Sequence, residues 1–233
     1  MPIFQHNGKL HAFVHVPKCG GTTIETALEE RFGRLGFLDM SYYRRTEPYR
    51  WSKTSPQHIT WDDLTKLVPE ALIDRVFAMV RCPFRRFASA YNHGARSGHV
   101  PPGMTPEEWF DKSAGASELL PYRSDNHLRQ AAAMVPDRAT VFRLEDGVDA
   151  VLGWIDTTFG TASATPPRDG NVSPLPDPDR YEMRPLSDGL RTRLAAFYAE
   201  DFERFGYDPT ASDSVTCHVP LPRRDSLVGR LRP

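Results

Sequence analysis

The stretch FVHVPKCGGTTI at residues 13–24 decides the fold. An apolar strand runs into Lys18, two glycines and two threonines, and a helix then begins. Gly20 and Gly21 permit a tight turn, and the free N–H groups of the helix would point at a negatively charged ligand. The helix is supported by apolar residues at helical spacing: Ile24, Ala27, Leu28 and Phe32. The sequence therefore predicts an anion-binding turn between a strand and a helix.

The order of residues in this turn differs from that of the familiar phosphate-binding loop. In G-x-x-x-x-G-K-[ST] the lysine follows the glycines and a hydroxyl binds magnesium, whereas Lys18 precedes both glycines. This order disfavours a magnesium-dependent nucleotide hydrolase. It favours a site that holds phosphate or sulfate through amides, hydroxyls and one lysine. A simple strand-to-helix turn with an incidental lysine is the alternative.

A second segment has the same organisation. VFAMV at 76–80 predicts a buried parallel strand, and RCPFRRFASAY at 81–91 predicts a turn with a proline that opens a helix. Ligands bind beyond the carboxyl ends of parallel strands, so we expect Arg81 and Lys18 to face one crevice, with Ser89 about two turns into the helix. A structural ion pair is the alternative role for Arg81.

The remaining pattern predicts one α/β domain. A third parallel strand is expected at 140–144 and a long helix at about 187–205, and Arg85 and Arg86 are expected at the solvated surface. We expect a single domain over 1–210 and a basic tail over 211–233. The arginines of this tail are Arg223, Arg224, Arg230 and Arg232.

These two motifs resemble those of a known family. HVPKCGGTT at 15–23 is similar to the 5′-phosphosulfate loop of sulfotransferases that use 3′-phosphoadenosine 5′-phosphosulfate (PAPS), and residues 80–91 are similar to their 3′-phosphate motif. The nearest branch is that of the carbohydrate sulfotransferases, such as the heparan sulfate 2-O type. Weaker similarities lie at 57–58, 126–130, 142–146, 171–173 and 201–207.

The resemblance implies a three-layer parallel sheet flanked by helices, as in the P-loop NTPase-like sulfotransferase fold. It implies sulfuryl transfer from PAPS to an acceptor hydroxyl without a metal, and in this branch the acceptor is a carbohydrate. The residues alone leave a sugar, lipid, small alcohol or peptide open. Lys18 is expected to be catalytic and to bind the donor, together with these residues: Cys19, Gly20, Gly21, Thr22, Thr23, Arg81 and Ser89.

The general base is expected to be a histidine, because imidazole titrates near neutral pH. His58 lies where the 2-O branch carries its catalytic histidine. His127, within a segment that resembles the family's Asn-His-x-x-Gln motif, is the second candidate, and a glutamate base remains open. His15, inside the predicted strand, and His93 are expected to be packing or surface residues.

Two cysteines depart from the family pattern. Position 19 is usually threonine or serine and position 82 is usually asparagine or aspartate. Beside a lysine at a helix N-terminus, the thiol of Cys19 is expected to gain thiolate character, so oxidation could modify it or join it to Cys82. Ordinary packing of two small residues is the alternative.

Composition is that of an ordinary globular protein. The chain has 233 residues, a net charge of −1 and 39% hydrophobic residues, which gives no sign of a nucleic-acid-binding protein. Three cysteines without metal-type spacing argue against a disulfide framework or a zinc site. With no long apolar run and no signal peptide, we expect a bacterial cytoplasmic enzyme or an excised catalytic domain. Oligomeric state is left open.

Two other classes of function compete with sulfuryl transfer. One is a kinase-like phosphotransferase, and the other is a non-catalytic nucleotide-binding module. Residues 42–51, rich in aromatic and basic side chains, are expected either to form an acceptor-binding wall or to be a covering loop. Residues 165–174 are expected to form an ordered loop over the nucleotide.

Overall fold

The computed structural model describes residues 1–117, 122–161, 177 and 179–222. The strands are β1 (Ile3–His6), β2 (Lys9–Val14), β3 (Ile73–Val80), β4 (Thr140–Arg143), β5 (Tyr181–Pro185) and β6 (Thr216–Pro220). The helices are α1 (Gly21–Phe32), α2 (Trp61–Leu67), α3 (Pro83–Arg96), α4 (Pro106–Ser117), α5 (Val148–Phe159), α6 (Asp188–Phe197) and α7 (Ala199–Phe205). The predicted loop at 165–174 and the tail arginines, from Arg223 on, lie outside the described residues.

The main sheet has the strand order β1-β2-β3-β4. Strands β2, β3 and β4 are parallel, whereas β1 at the edge is antiparallel to β2. Asn7 and Gly8 connect this hairpin with φ angles of 49° and 76°, the left-handed backbone that tight hairpin turns require. An α/β fold with a mostly parallel sheet is confirmed, and the expectation of a purely parallel sheet is wrong at this edge.

The two central strands are buried on both faces. Phe13 and Val14 of β2 and Phe77 and Val80 of β3 are each no more than 1% exposed. A strand buried on both faces is rigid, because both sets of its side chains are packed. The carboxyl ends of β2 and β3 therefore hold the loops that follow them, which contain Lys18 and Arg81, in fixed positions.

A second apolar cluster lies around α3. It joins residues of α3, α4 and α6 to the antiparallel pair β5 and β6, and Cys217 and Val219 of β6 are buried in it. The folded chain thus extends beyond residue 210, where the basic tail was expected to begin, since β6 packs on the domain.

Two element boundaries differ from expectation. The helix predicted at 187–205 is two helices, α6 and α7, separated at Tyr198 with φ −103° and ψ 24°. Strand β2 ends at Val14, so His15 lies just beyond the strand and not inside it. Among the described helices, none combines the length and apolar character needed to cross a membrane.

Candidate active site

The loop between β2 and α1 turns sharply at two positions. Lys18 and Gly20 have φ angles of 70° and 80°, in the left-handed region. Glycine adopts this backbone without strain, whereas lysine does so at some cost. Gly20 is also tightly enclosed, because a Cβ there would lie 3.1 Å from Leu144 Cδ1 and 3.3 Å from Met79 Sδ. The loop shape therefore depends on glycine at position 20.

The amides of this loop are available to a ligand. Within the described chain, the N–H groups of residues 19–22 donate no hydrogen bond, whereas those of Thr23 and Ile24 both donate to the Gly20 carbonyl. Unpaired N–H groups at a helix N-terminus carry partial positive charge and bind anions. The turn thus offers backbone amides that no side chain of a described residue occupies.

Arginine side chains hold the carbonyls of the same loop on its inner side. Arg86 Nε donates to the Pro17 carbonyl at 3.2 Å, and Arg81 Nη1 donates to the Lys18 carbonyl at 3.4 Å. Arginine side chains therefore hold two successive carbonyls of the loop, which leaves the amides that follow without a bond to either arginine. Arg81 therefore contacts the loop that carries Lys18 at one edge of the parallel sheet.

Arg86 was expected at the solvated surface, and this expectation is wrong. Its side chain is 1% exposed and pairs with Asp201, which is 2% exposed, at 3.4 Å. Asp201 also accepts hydrogen bonds from the amides of Ala131 and Ala132, at 2.9 and 2.7 Å. Burying both charges is tolerated only with such partners. The pair fixes α3 to α7 beneath the loop.

Lys18 lies in a positively charged environment. Burial, followed by the charges of Arg96 and Arg81, lowers its pKa from 10.5 to about 8. Neither Lys18 nor Arg96 forms a side-chain ion pair with an acid in the described part of the chain. Arg96 was missed in the sequence, although it lies on α3 three residues after His93 and thus on one helix face. Such an unneutralised cluster attracts an anion.

The N-terminus of α3 differs from that of α1. Glu145 Oε1 accepts from the Cys82 amide at 2.9 Å, and its other oxygen accepts from the Tyr207 hydroxyl at 2.9 Å. The acidic side chain of Glu145 therefore occupies this helix end. Ser89 is half-buried on α3 and forms no hydrogen bond to Arg81 within the described residues.

The expected reactivity of Cys19 is wrong. Its thiol is 1% exposed and directed toward the Pro17 carbonyl, with Sγ 3.7 Å from that oxygen. Burial raises the pKa of Cys19 to about 12, so the thiol stays protonated despite Arg86 and Arg81. Only the backbone amide of Cys19 is placed to bind a ligand. Within the described residues the cysteines are free thiols.

His15 connects the anion loop to a second group of side chains. Its Nδ1 lies 2.5 Å from Glu25 Oε1, and both side chains are buried. Its ring fills the space beside Gly21, where a Cβ would lie 2.1 Å from Nε2. On its other side, the ring centroid lies 4.5 Å from that of His58. Burial lowers the pKa of His15, although Glu25 opposes this, so His15 is a neutral donor to Glu25.

His58 forms a hydrogen-bonded dyad with Asp125. Nδ1 of His58 lies 2.6 Å from Asp125 Oδ2, and the Ser55 amide and hydroxyl donate to the same carboxylate at 2.7 and 2.8 Å. Burial acts to raise the pKa of Asp125, but the hydrogen bond and charge of His58 outweigh it and hold that pKa below its usual range. An ionised carboxylate only accepts, so Nδ1 of His58 carries a proton, and Nε2 forms no hydrogen bond with a described residue.

The turn that carries Asp125 is strained. Ser124, Asp125 and Asn126 have φ angles of 52°, 55° and 59°, although none is glycine. Asn126 Nδ2 donates to the His58 carbonyl at 2.8 Å, which ties this turn to the segment that carries His58. Left-handed backbone at such residues is costly and collects at functional sites. Asp125 was missed in the sequence, although it directly precedes the Asn126–Gln130 motif.

His127 and His93 extend the histidine group. The ring centroid of His127 lies 5.5 Å from that of His58 and 5.4 Å from that of His93. Burial lowers the pKa of His127 well below its ordinary value, and the charges of His58 and Lys18 act in the same direction. His127 is therefore close to both the dyad and Lys18, and His93, expected to be peripheral, borders the site.

Three of these residues could together hold a metal ion. His58, Asp125 and His127 each offer one ligand atom, and these atoms lie within 4.8 Å of one another. Two of these groups, His58 and Asp125, are already hydrogen-bonded to each other. Zinc ligands lie about 2 Å from the ion, so a metal would have to draw these groups together and replace that bond.

Residues 42–51, rich in aromatic side chains, lie near the dyad and are partly exposed to solvent. Partial burial and then the negative charge of Asp125 raise the pKa of Tyr43, so this tyrosine lies near the dyad. Tyr42 is 2% exposed and donates to the Ser52 carbonyl, whereas Tyr43 and Trp51 are 57% and 56% exposed. The segment is thus both a packed cover and an exposed wall beside the candidate base.

The model of a family described as "Sulfotransferase family" matches residues 6–208. No curated protein matches the chain, and no solved structure does. The matched range includes both the loop at Lys18 and the dyad of His58 and Asp125.

Proposed function

Because the chain belongs to the sulfotransferase family, over residues 6–208, we propose that it transfers a sulfuryl group from PAPS to a hydroxyl of a carbohydrate acceptor. Family membership supports sulfuryl transfer in general. The donor, the acceptor and the residue roles are parts of the proposal, and the geometry of the site supports the donor and the residue roles.

The loop at residues 18–23 fits the 5′-phosphosulfate end of the donor. Free amides at the α1 N-terminus and the Lys18 ammonium suit an anion with several oxygens, and Lys18 has no acid in the described chain to compete with it. Cys19 takes part through its amide alone, and the hydroxyls of Thr22 and Thr23 border the same helix end. Arg81 and Ser89 are proposed to bind the 3′-phosphate, because a guanidinium forms charge-assisted bonds with phosphate.

One observation supports the proposal most directly: the imidazole ring of His15 contacts both Gly21 of the anion loop and His58 of the dyad. His15 packs against Gly21 of the loop and lies 4.5 Å, between ring centroids, from His58. Sulfuryl transfer needs a base close to the bound donor, so that the acceptor oxygen reaches sulfur as it loses its proton. The contact through His15 brings these two parts together.

We propose a role for each residue in the reaction. His58 Nε2 accepts the proton of the acceptor hydroxyl, while Asp125 fixes its tautomer and stabilises the imidazolium that forms. The acceptor oxygen forms a bond to sulfur, and the bond from sulfur to the phosphate oxygen breaks. Lys18 and the loop amides stabilise the charge that develops on the leaving phosphate. The products are a sulfate ester and adenosine 3′,5′-bisphosphate.

The assignment of the base is tested with two matched variants. His58→Ala and His127→Ala are compared under saturating labelled PAPS with a panel of carbohydrate acceptors, and binding of adenosine 3′,5′-bisphosphate is measured by calorimetry. We expect His58→Ala to abolish transfer with product binding intact, and His127→Ala to retain measurable turnover. Loss of chemistry in His127→Ala alone would assign the base to His127.

The donor is tested separately from the base. Wild-type protein is titrated with adenosine 3′,5′-bisphosphate and, in a parallel experiment, with ATP and magnesium. We expect the bisphosphate to bind more tightly than ATP with magnesium, because the site binds anions through cations and amides and not through a metal ion. Tighter binding of ATP with magnesium would favour a phosphotransferase. Bisphosphate binding without transfer to any acceptor would favour a binding module.

A further inference from the structure

Exposed apolar side chains are concentrated in one segment between α1 and α2. Met40, Tyr43, Tyr49 and Trp51 are 73%, 57%, 78% and 56% exposed. A cluster of large apolar groups on the surface marks a binding site more often than chance exposure does. This segment is therefore a candidate binding surface outside the reaction centre.

A cavity opens beside Trp51 in the same segment. Its volume is about 440 Å³, which falls within the range of small-molecule sites. Phe37, Trp51 and Pro56 form an apolar wall, and Arg34, Asp39 and Arg45 form a polar one. A sugar ring has the matching division, with C–H groups on its faces and hydroxyls around its rim.

The backbone at Phe37 supports a binding role for the apolar wall. Phe37 has a φ angle of 56°, a left-handed conformation that is a clear outlier for a bulky side chain. Its ring meets that of Trp51 edge to face, with centroids 5.9 Å apart. Strain of this kind persists where the surroundings impose it and collects at ligand sites. Here it holds an aromatic ring against the cavity.

The polar wall is arranged to bind hydroxyl groups. Asp39 accepts from the amide and hydroxyl of Ser41 at 3.0 and 2.8 Å and pairs with Arg45. Arg34 forms no hydrogen bond or ion pair with another described residue. A carboxylate neutralised by one arginine, next to a second arginine without a partner, offers both acceptors and donors. Vicinal sugar hydroxyls, which donate and accept, fit this set.

The cavity adjoins the segment that carries His58. Pro56 lines it, and the Asp39 amide donates to Gln57 Oε1 at 3.3 Å, directly before His58 in the chain. Tyr43, from the same segment as Trp51, lies near Asp125 of the dyad. A ligand in the cavity would therefore lie near the segment that carries His58, although the cavity lining includes neither His58 nor Asp125.

We propose that this cavity binds a sugar residue of the acceptor other than the one that receives the sulfuryl group. The inference rests on the proposed function. It specifies an oligosaccharide acceptor of at least two sugar residues, with one ring stacked on Trp51 and its hydroxyls bound by Asp39, Arg45 and Arg34.

The test is binding to a printed array of oligosaccharides one to four sugars long, in the presence of adenosine 3′,5′-bisphosphate. Wild-type protein is compared with Trp51→Ala and with Leu72→Ala, a control that removes another exposed apolar side chain, 59% exposed, away from the cavity. Retained glycans are then titrated by calorimetry. We expect affinity to rise from the monosaccharide to the longer members in wild type and Leu72→Ala. Trp51→Ala should lower affinity for the longer members by about tenfold.

The outcomes separate the subsite from the reaction. Equal affinities in wild type and Trp51→Ala, or no retained glycan, would overturn the subsite. If glycans are retained through Trp51 but adenosine 3′,5′-bisphosphate does not bind, the proposed reaction fails and the sugar-binding cavity stands. Thermal unfolding of Trp51→Ala confirms that the variant is folded.

Discussion

The ring of His15 fills the space that any side chain at Gly21 would need, because a Cβ there would lie 2.1 Å from His15 Nε2. Gly21→Ala must therefore displace His15 or the first turn of α1. We expect the free energy of unfolding to fall by about 1–3 kcal/mol and binding of adenosine 3′,5′-bisphosphate to weaken. Urea denaturation and calorimetry measure the two effects.

Gly153→Ala is the matched control, since the same change is made in α5 where a Cβ would meet nothing within 4 Å. Alanine is the better helix former, so this variant should be neutral or more stable by about 0.5–1 kcal/mol. Equal effects of the two substitutions would show that the His15 contact does not restrict position 21.

Lys18 is expected to contribute to catalysis more than to folding. Lys18→Ala should lower kcat on the order of 100-fold, because it removes the cation beside the developing charge of the leaving phosphate. The melting temperature should change little, since Lys18 has no ion-pair partner in the described chain. Steady-state kinetics at saturating PAPS gives the result, and near wild-type turnover would contradict the assignment.

The lowered pKa of Lys18, about 8, predicts a pH dependence of donor-product binding. An anion favours the protonated lysine, so affinity should fall as pH rises past about 8, and binding in that range should take up a proton. Calorimetry in two buffers of different ionisation enthalpy measures the proton uptake. In Lys18→Arg this uptake should vanish, because arginine stays charged, and an unchanged uptake would assign it to another group.

Arg81 and Ser89 are expected to distinguish adenosine 3′,5′-bisphosphate from AMP. Wild type should prefer the bisphosphate, and Arg81→Ala should reduce that preference by about 10- to 100-fold, the usual effect of a lost charged hydrogen bond. Ser89→Ala should reduce it less. Arg75→Ala, at an exposed arginine of β3, serves as the control. Equal affinities of wild type for both nucleotides would remove the basis for a 3′-phosphate site.

The buried pair of Arg86 and Asp201 predicts a large loss of stability on truncation. Arg86→Leu leaves the Asp201 carboxylate without its charge partner, which should cost about 3–5 kcal/mol of unfolding free energy. Arg85→Leu, one residue earlier, breaks a surface pair with Asp213 and should cost less than about 1 kcal/mol. Chemical denaturation compares the two. Similar losses of unfolding free energy in the two variants would show that the buried pair of Arg86 and Asp201 stabilises the protein no more than a surface ion pair does.

The sequence anticipated features that depend on strand order and strand ends. Parallel strands bring their carboxyl ends to one edge, so the meeting of Lys18 and Arg81 followed from two buried apolar runs. The open amides after Lys18 followed from the two glycines and the start of α1. His58 and His127 were alternative candidates for the base through the family resemblance alone, and nothing in the sequence indicated that their rings lie together, because these residues are distant in the chain.

Other features depend on partners that local pattern cannot reveal. Arg86 looks like a surface residue until Asp201, 115 residues along the chain, is placed beside it. The same holds for the buried thiol of Cys19, whose expected thiolate character is reversed by packing. The antiparallel edge strand did carry a local signal, since Asn7 and Gly8 form a common hairpin turn.

The left-handed backbone at Ser124, Asp125 and Asn126 lowers stability, and the same turn holds the Asp125 carboxylate against His58. Each such residue costs on the order of 1–2 kcal/mol, so a glycine there would relax the backbone and make the protein harder to unfold. The same freedom would let the Asp125 carboxylate swing away from His58. A search for heat-resistant variants would therefore favour changes at this turn that sacrifice turnover, and thermostability engineering of this enzyme should leave residues 124–126 untouched.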